Sequence, residues 1–501
     1  MISAYCSEYL LNLEIDKLAQ LRFSMDNLPD ALLSEIAKRL TQTSDLNSLS
    51  LVSKRLYTVE AEQRDAIRIG CGLSPVTSAL PLLCSRFPNL CKLEFNYYRW
   101  KPNHGMQLDS QGLHVLSSFC PSLVHLTLSY CLCIDDTGLG FVTCFNKLMS
   151  LRLNTVPEIS SVGLLSVAVG CKRLTAFNLI DCKKVTSAEW LEHLGRVGSL
   201  EELIVKYCKG ISQYDFLKFG TGWMKLQTFV FQNRGFLSKF EPCDPSYVPH
   251  RQYIYDFSCD NLKDLTLARI ITVPEIGLGC LLRKCKALEN LGLFYVLGLS
   301  DTEIITVSHN CKNLRSISLR LEPVYNERPE GLVFSTPLTD DSLKALALRC
   351  TKLQAVELTF AACSRYYPEE IGFTQEGVVT FIQSCPIRDL VLSGANFFDD
   401  EGMKALSSVR YLKTLELMDC VEISNTGIRF LARAPCLINL TLRQCDGFTD
   451  LGVTEVCRAR NLESLVIEGC SQVSLKAVEG AAKLVHFKED YPGLSGLNRF
   501  F

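Results

Sequence analysis

Charge of one sign is what this chain lacks first: 52 Lys and Arg stand against 54 Asp and Glu, a formal net charge of −2. Nucleic acids and anionic membranes select a basic excess, so neither is expected as a partner. Long apolar runs are missing too, since none approaches the roughly 18–20 residues that cross a bilayer. The opening stretch MISAYCSEYLLNLEID has no basic region and is interrupted by Glu8, Glu14 and Asp16, which argues against an export signal and leads to a nuclear or cytoplasmic expectation. The signatures G-x-x-x-x-G-K-[ST], G-x-S-x-G and H-E-x-x-H do not occur, and the seven His show no clustering with carboxylates at ligand spacing. The expectation is therefore a protein that is not an enzyme and carries no resident metal or cofactor. An inositol polyphosphate would need converging Lys and Arg, which the dispersed basic residues do not supply.

What is present is a ruler. CPSLVHLTLSYC, CKRLTAFNLIDC, CKALENLGLFYV and RNLESLVIEGCS share one pattern, L-x-x-L-x-L, whose first Leu recurs at 123, 148, 174, 200 and 226, at 262, 288 and 314, and, with Ile387 in the first place, at 387, 412, 437 and 462. Steps of 25 or 26 residues with this core mark a leucine-rich repeat solenoid. Each core alternates like a short strand, and each following segment, such as DDTGLGFVTC or SNTGIRFLARA, starts like a capped helix. The expected fold is α/β: a right-handed solenoid over residues 70–501, of about 14 repeats plus a C-terminal cap, with parallel strands concave and helices convex.

Twenty-four cysteines would suggest disulfides in a small secreted domain, but a long chain of this kind is expected to keep them reduced. Cys120, Cys171, Cys259, Cys285, Cys311 and Cys350 lie three residues before the first Leu of a coil, and Cys131, Cys182, Cys208, Cys420, Cys445 and Cys470 eight after it. Two fixed slots per coil suit a small side chain that tolerates full burial, so packing is the reading preferred over a metal at Cys131 and Cys133. The pairs Asp135-Asp136, Asp340-Asp341 and Asp399-Asp400 each precede the same helix of their repeat and are read as caps rather than as acid–base groups.

Ahead of the solenoid, NLPDALLSEIAKRL places Pro29 at a helix start and carries Leu32, Leu33, Ile36, Ala37 and Leu40 on one stripe. A second helix is expected after Ser44 or Asp45 with Leu49, Leu51, Val52 and Leu56, and a third from about Val59. So few residues carry more apolar surface than they can hide among themselves, which implies a partner. Leu28-Pro29, the leucine stripe and LSLVSKRLY resemble an F-box, spanning 26–66 after an N-terminal extension 1–25, and the repeats resemble those of plant F-box/leucine-rich-repeat proteins. The resemblance implies a substrate receptor of a Skp–cullin–F-box ubiquitin ligase, which meets cullin and RING subunits through the Skp adaptor and leads its target toward degradation. On that carry-over the adaptor contact is Leu28, Pro29, Leu32, Ile36, Leu49, Val52 and Leu56. The alternative is a solenoid scaffold whose first helices are a cap.

Four insertions break the period after a strand and are expected along one rim, where long loops on a rigid frame carry function. They supply Tyr97, Tyr98, Arg99 and Trp100, then Phe236 and Tyr253, then Tyr325 and Arg328, then Tyr366 and Tyr367, residue types that dominate binding hot spots. Arg152, Arg320 and Arg443 are expected on the concave face beside them, the whole set contacting a target protein. In hormone-receptor relatives comparable loops help to hold a small-molecule ligand, a lesser alternative here.

Overall fold

Leucines at a fixed interval stack into a sheet because each coil can hide its apolar face only against the next. The computed structural model describes residues 28–488, apart from 41, 71–75, 102–105, 214, 216–222, 235–258, 273–276, 322–323, 329–330, 337, 361–368, 460 and 481. The proposed extension and the end of the proposed cap thus lie outside the described residues.

Among the described residues three helices come first: α1 (Asp30–Arg39), α2 (Thr43–Val52) and α3 (Lys54–Gln63). Pro29 stands at the N-cap of α1. The second helix starts earlier than expected, so Ser44 and Asp45 lie within its first turn instead of capping it. The third begins at Lys54, well before Val59, because the Ser53 hydroxyl accepts from the Leu56 amide and caps it there.

Among the described residues, sixteen strands then form one parallel sheet in chain order. Its first strand, Ala66–Ile69, pairs with Lys92–Asn96, so the sheet opens at 66 rather than 70; fourteen further strands lie between it and the last, Leu484–Lys488. Register is strict. Leu126 sits beside Leu151, then Phe177, Leu203, Phe229, Leu265 and Leu291, an unbroken buried row across successive coils. Alternate side chains face the other way and form the open face of the sheet. The helices, from Val76–Arg86 (α4) and Ser110–Phe119 (α5) onward, cover the opposite face and seal one continuous core.

At the end of many strands the chain turns through a left-handed residue whose amide extends the ladder by one bond. Tyr130 (φ 57°), Thr155 (φ 51°) and Tyr207 (φ 58°) donate to the carbonyls of Asn154, Ile180 and Gln232 at 2.7–2.9 Å. At Gly394 (φ 67°) a β-carbon would come within 2.4 Å of the Phe360 carbonyl oxygen, so that coil admits no side chain.

The paired aspartates divide their work in a way that spacing alone did not show. Asp135 and Asp399 cap their own helices, accepting from the amides of Gly138 at 3.1 Å and Glu401 at 2.9 Å. Asp136 and Asp400 reach the next coil and accept from the amides of Ser160 at 2.7 Å and Ser424 at 2.8 Å. The third pair departs from the expectation: Thr339 caps that helix, Asp340 serves the next coil through Thr374, and Asp341 is exposed beside Lys344.

Most slot cysteines are buried thiols. Cys259 and Cys285 stack with sulfurs 3.7 Å apart, and the Cys311 thiol donates to the Cys285 carbonyl at 3.2 Å. Desolvation pushes the Cys171 thiol up to about 12 and that of Cys208 to about 11, which keeps them protonated and unreactive. Cys131 is buried and Cys133 exposed, so the two do not converge. One pair contradicts the expectation of reduced cysteines: Cys84 on α4 and Cys120 after α5 are joined by a disulfide, their Cα atoms 6.0 Å apart where the first solenoid helices abut.

Candidate binding surfaces

The stripe of α1 divides in two. Leu33 and Ala37 turn inward and are buried, whereas Leu32 and Ile36 remain 51% and 40% exposed. Leu33, Leu56 and Val59 form the inner cluster, with Leu28 and Leu49 packed half-buried against it. Arg55 ties the first and third helices together through Asp30 and the Leu28 carbonyl oxygen. Leu56 is therefore a core residue and not an adaptor contact, because the Ser53 cap fixes a helix phase that points it inward. Pro29 and Val52 are exposed, Val52 at 68%. Leu51 was missed, yet at 86% it is the most exposed of the large apolar side chains on these helices. Its signal was available: a Leu-Val pair at the end of an amphipathic helix cannot point both side chains into one small core.

The joint to the solenoid is polar at its centre. Glu60 is fully buried and forms ion pairs with Arg64 and, at 3.1 Å, with Arg86 of α4. The Arg86 guanidinium lies over the ring of Tyr57 on α3 (3.9 Å) and over that of its own neighbour Phe87 (4.8 Å), so one α4 residue holds α3 through both Glu60 and Tyr57. Ala61 enters the solenoid's own core, which leaves the opposite side of α1 and α2, with Leu32, Ile36, Leu51 and Val52, facing solvent.

Of the expected target contacts, Tyr97 is corrected. It is 3% exposed, and its hydroxyl accepts from the Leu108 amide at 3.1 Å, tying the insertion down to the coil. Trp100 is half-buried on the core, while Tyr98 and Arg99 are exposed, the Tyr98 ring 5.0 Å from that of Tyr130. Phe236, Tyr253, Tyr366 and Tyr367 lie outside the described residues. Tyr325 and Arg328 fall on Val324–Arg328, which pairs antiparallel with Gly331–Ser335, and that strand pairs parallel with Glu369–Glu370. Parts of the third and fourth insertions thus share a small sheet.

The three open-face arginines are already engaged. Arg152 meets Glu202 at 3.6 Å; Arg320 meets Glu357 at 2.7 Å and lies 4.5 Å from the Phe294 ring centre; Arg443 bridges Glu416 and Glu468 at 2.6 and 3.0 Å. They form ladders between coils. Among the described residues no group of three or more His, Cys, Asp or Glu is arranged to hold a metal.

Comparison with known proteins agrees with this anatomy. The F-box domain family matches residues 25–62, and the leucine-rich repeat family matches residues 383–407. The chain joins an F-box domain to a leucine-rich repeat solenoid and is homologous to plant F-box/leucine-rich-repeat proteins. It is similar to GRR1-like protein 1 of Arabidopsis thaliana, 22% identical over 66% of this chain and 63% of that protein. It is also similar to F-box protein MAX2 homolog B of Petunia hybrida, 32% identical over 21% and 15% of the respective chains. These matches span less than two thirds of the relatives' own length. Among solved structures, a chain of the yeast Rad7–Elc1 complex matches over 97% of both chains at 14% identity and a TM-score of 0.39.

Proposed function

We propose that this chain is a substrate-recognition subunit of a Skp–cullin–F-box ubiquitin ligase. The observation that carries the reading is the outward apolar patch of Leu32, Ile36, Leu51 and Val52, within a domain matched as an F-box and clamped to the solenoid by Glu60 and Arg86. A patch left exposed by the fold's own packing is a docking surface. The Skp adaptor covers it, cullin and RING subunits follow, and the solenoid holds a target for ubiquitination in the nucleus or cytoplasm.

The chain does no covalent chemistry in this scheme. Its contribution is proximity: a rigid joint holds the target's lysine near the charged conjugating enzyme and raises its effective concentration. The test is copurification of the full chain with the Skp adaptor, repeated with Leu51→Ala and Val52→Ala. Capture that falls at least about tenfold, with thermal stability unchanged, supports the reading; an absent or unaltered capture overturns it in favour of a scaffold.

A further inference from the structure

Net neutrality conceals a segregated charge distribution. Helix N-termini lie along the rim where strands end, and the capping carboxylates gather there. The opposite rim, where helices end and the next strands begin, carries Asp65, Glu201 and Glu463 in its outer coils and a run of cations in its middle ones. Its backbone ladder fixes the alignment: the amides of Lys263, Arg315, Arg388 and Lys413 each donate to the carbonyl of the equivalent residue one coil back, at 2.7–2.8 Å. Lys286 and Lys352 stand in the same turns of the intervening coils. Six consecutive coils, with strands from Asp264–Ala268 to Thr414–Met418, each carry an exposed cation in these turns, at the ladder position in four of them and at Lys286 and Lys352 in the two whose ladder residues are Glu289 and Gln354.

These charges are largely uncommitted. Arg315 pairs with Glu289 at 3.2 Å and Lys352 donates to Asn313 at 2.8 Å, whereas Lys263, Lys286, Arg388 and Lys413 form no ion pair with a described residue. Among the described residues, Asp260 and Glu289 in these turns and Asp264 and Asp389 at the strand starts are the carboxylates that interrupt the row. Helix dipoles account for only part of it: Lys286, Lys352 and Arg388 lie within three residues of the cysteine that caps the preceding helix, whereas Arg315 and Lys413 lie four and six residues beyond Cys311 and Ser407.

We propose that this rim binds an acidic segment of a protein partner, which in the receptor reading is the target. Strands about 4.8 Å apart set the cations at a spacing close to the about 5–6 Å between carboxylates three or four residues apart on a helix. Six coils span about 24 Å, enough for about 16 helical residues. A nucleic acid fits less well, because its extended charge would meet the carboxylate-rich rim across a chain of net charge −2. The identity of the partner rests on the receptor reading; the binding itself is measured without any ligase.

The test is fluorescence anisotropy of a labelled polyglutamate peptide of about twenty residues with the full chain, the length following from the span above. Lys263→Glu, Arg388→Glu and Lys413→Glu together should weaken binding at least about tenfold, and raising salt well above physiological strength should do the same to the parent chain. The corresponding Gln replacements give a second reading if charge reversal harms folding. Lys183→Glu with Lys209→Glu, on the other rim, should leave affinity unchanged. Affinity that survives both the Glu and the Gln replacements overturns the proposal, as do equal losses from the control rim or tighter binding of a single-stranded oligonucleotide of matched charge. Adaptor capture, scored in parallel, reads the receptor role separately: loss of peptide binding with capture intact leaves that role standing, and the reverse leaves the basic rim standing.

Discussion

The F-box helices and the solenoid handle the same residue type in opposite ways. In the solenoid, leucines such as Leu126, Leu291 and Leu415 are no more than 2% exposed, because each coil is sandwiched between two others. In the three-helix bundle the inner cluster closes with Leu33 of α1 and Leu56 and Val59 of α3, and Leu32 and Leu51 stay outside. A repeat array can extend its core indefinitely by adding neighbours, whereas three ten-residue helices have no next layer of their own. The difference leaves apolar surface open at one end: the array is complete inside itself, and the short bundle is not.

That contrast can be broken most forcefully in the array. Leu126→Ala or Leu415→Ala should lower stability by about 3–5 kcal/mol, read from the urea unfolding midpoint, since neighbouring coils cannot collapse onto the cavity. Glu60→Ala, which strips two arginines of their buried partner, should lower it by about 3 kcal/mol and speed amide exchange in α3 and α4 before the distant coils respond. Leu51→Ala should change stability by no more than about 0.5 kcal/mol, in contrast with the solenoid leucines, while reducing adaptor capture. If Leu51→Ala were as destabilising as Leu126→Ala, the distinction between sealed and open regions would be lost.

Smaller effects sharpen the picture of the rim. Asp399→Ala removes the acceptor for two amides of its helix and should lower stability by about 1 kcal/mol. Hydrogen bonds from Ser110 and the Gly138 amide hold the Asp135 carboxyl below the usual carboxylate range, and Gln375 and the Gly402 amide do the same for Asp399. For a folded-state value below the unfolded one, the stabilisation is present above the ordinary carboxylate value and is lost as pH falls through the folded one. Melting temperature should therefore fall on acidification below about pH 4, and the double Asn variant should flatten that slope.

Much of this was legible in the chain. A 25- or 26-residue interval of leucines dictates parallel strands, helices behind them and buried cysteine slots, because only one stacking satisfies every coil at once. The leucine stripe near residue 32 signalled helices with surplus apolar surface. Tertiary structure alone decided how that surplus divides. Leu56 and Leu51 look alike in sequence, but the Ser53 cap sets the phase of α3 and hides one, while the end of α2 leaves the other in water. It also decided that Tyr97 anchors its loop instead of meeting a target, and that Arg320 and Arg443 spend their charge on carboxylates of neighbouring coils. Periodicity reports which face a residue occupies; whether that face is covered depends on partners distant in the chain, which local pattern does not contain.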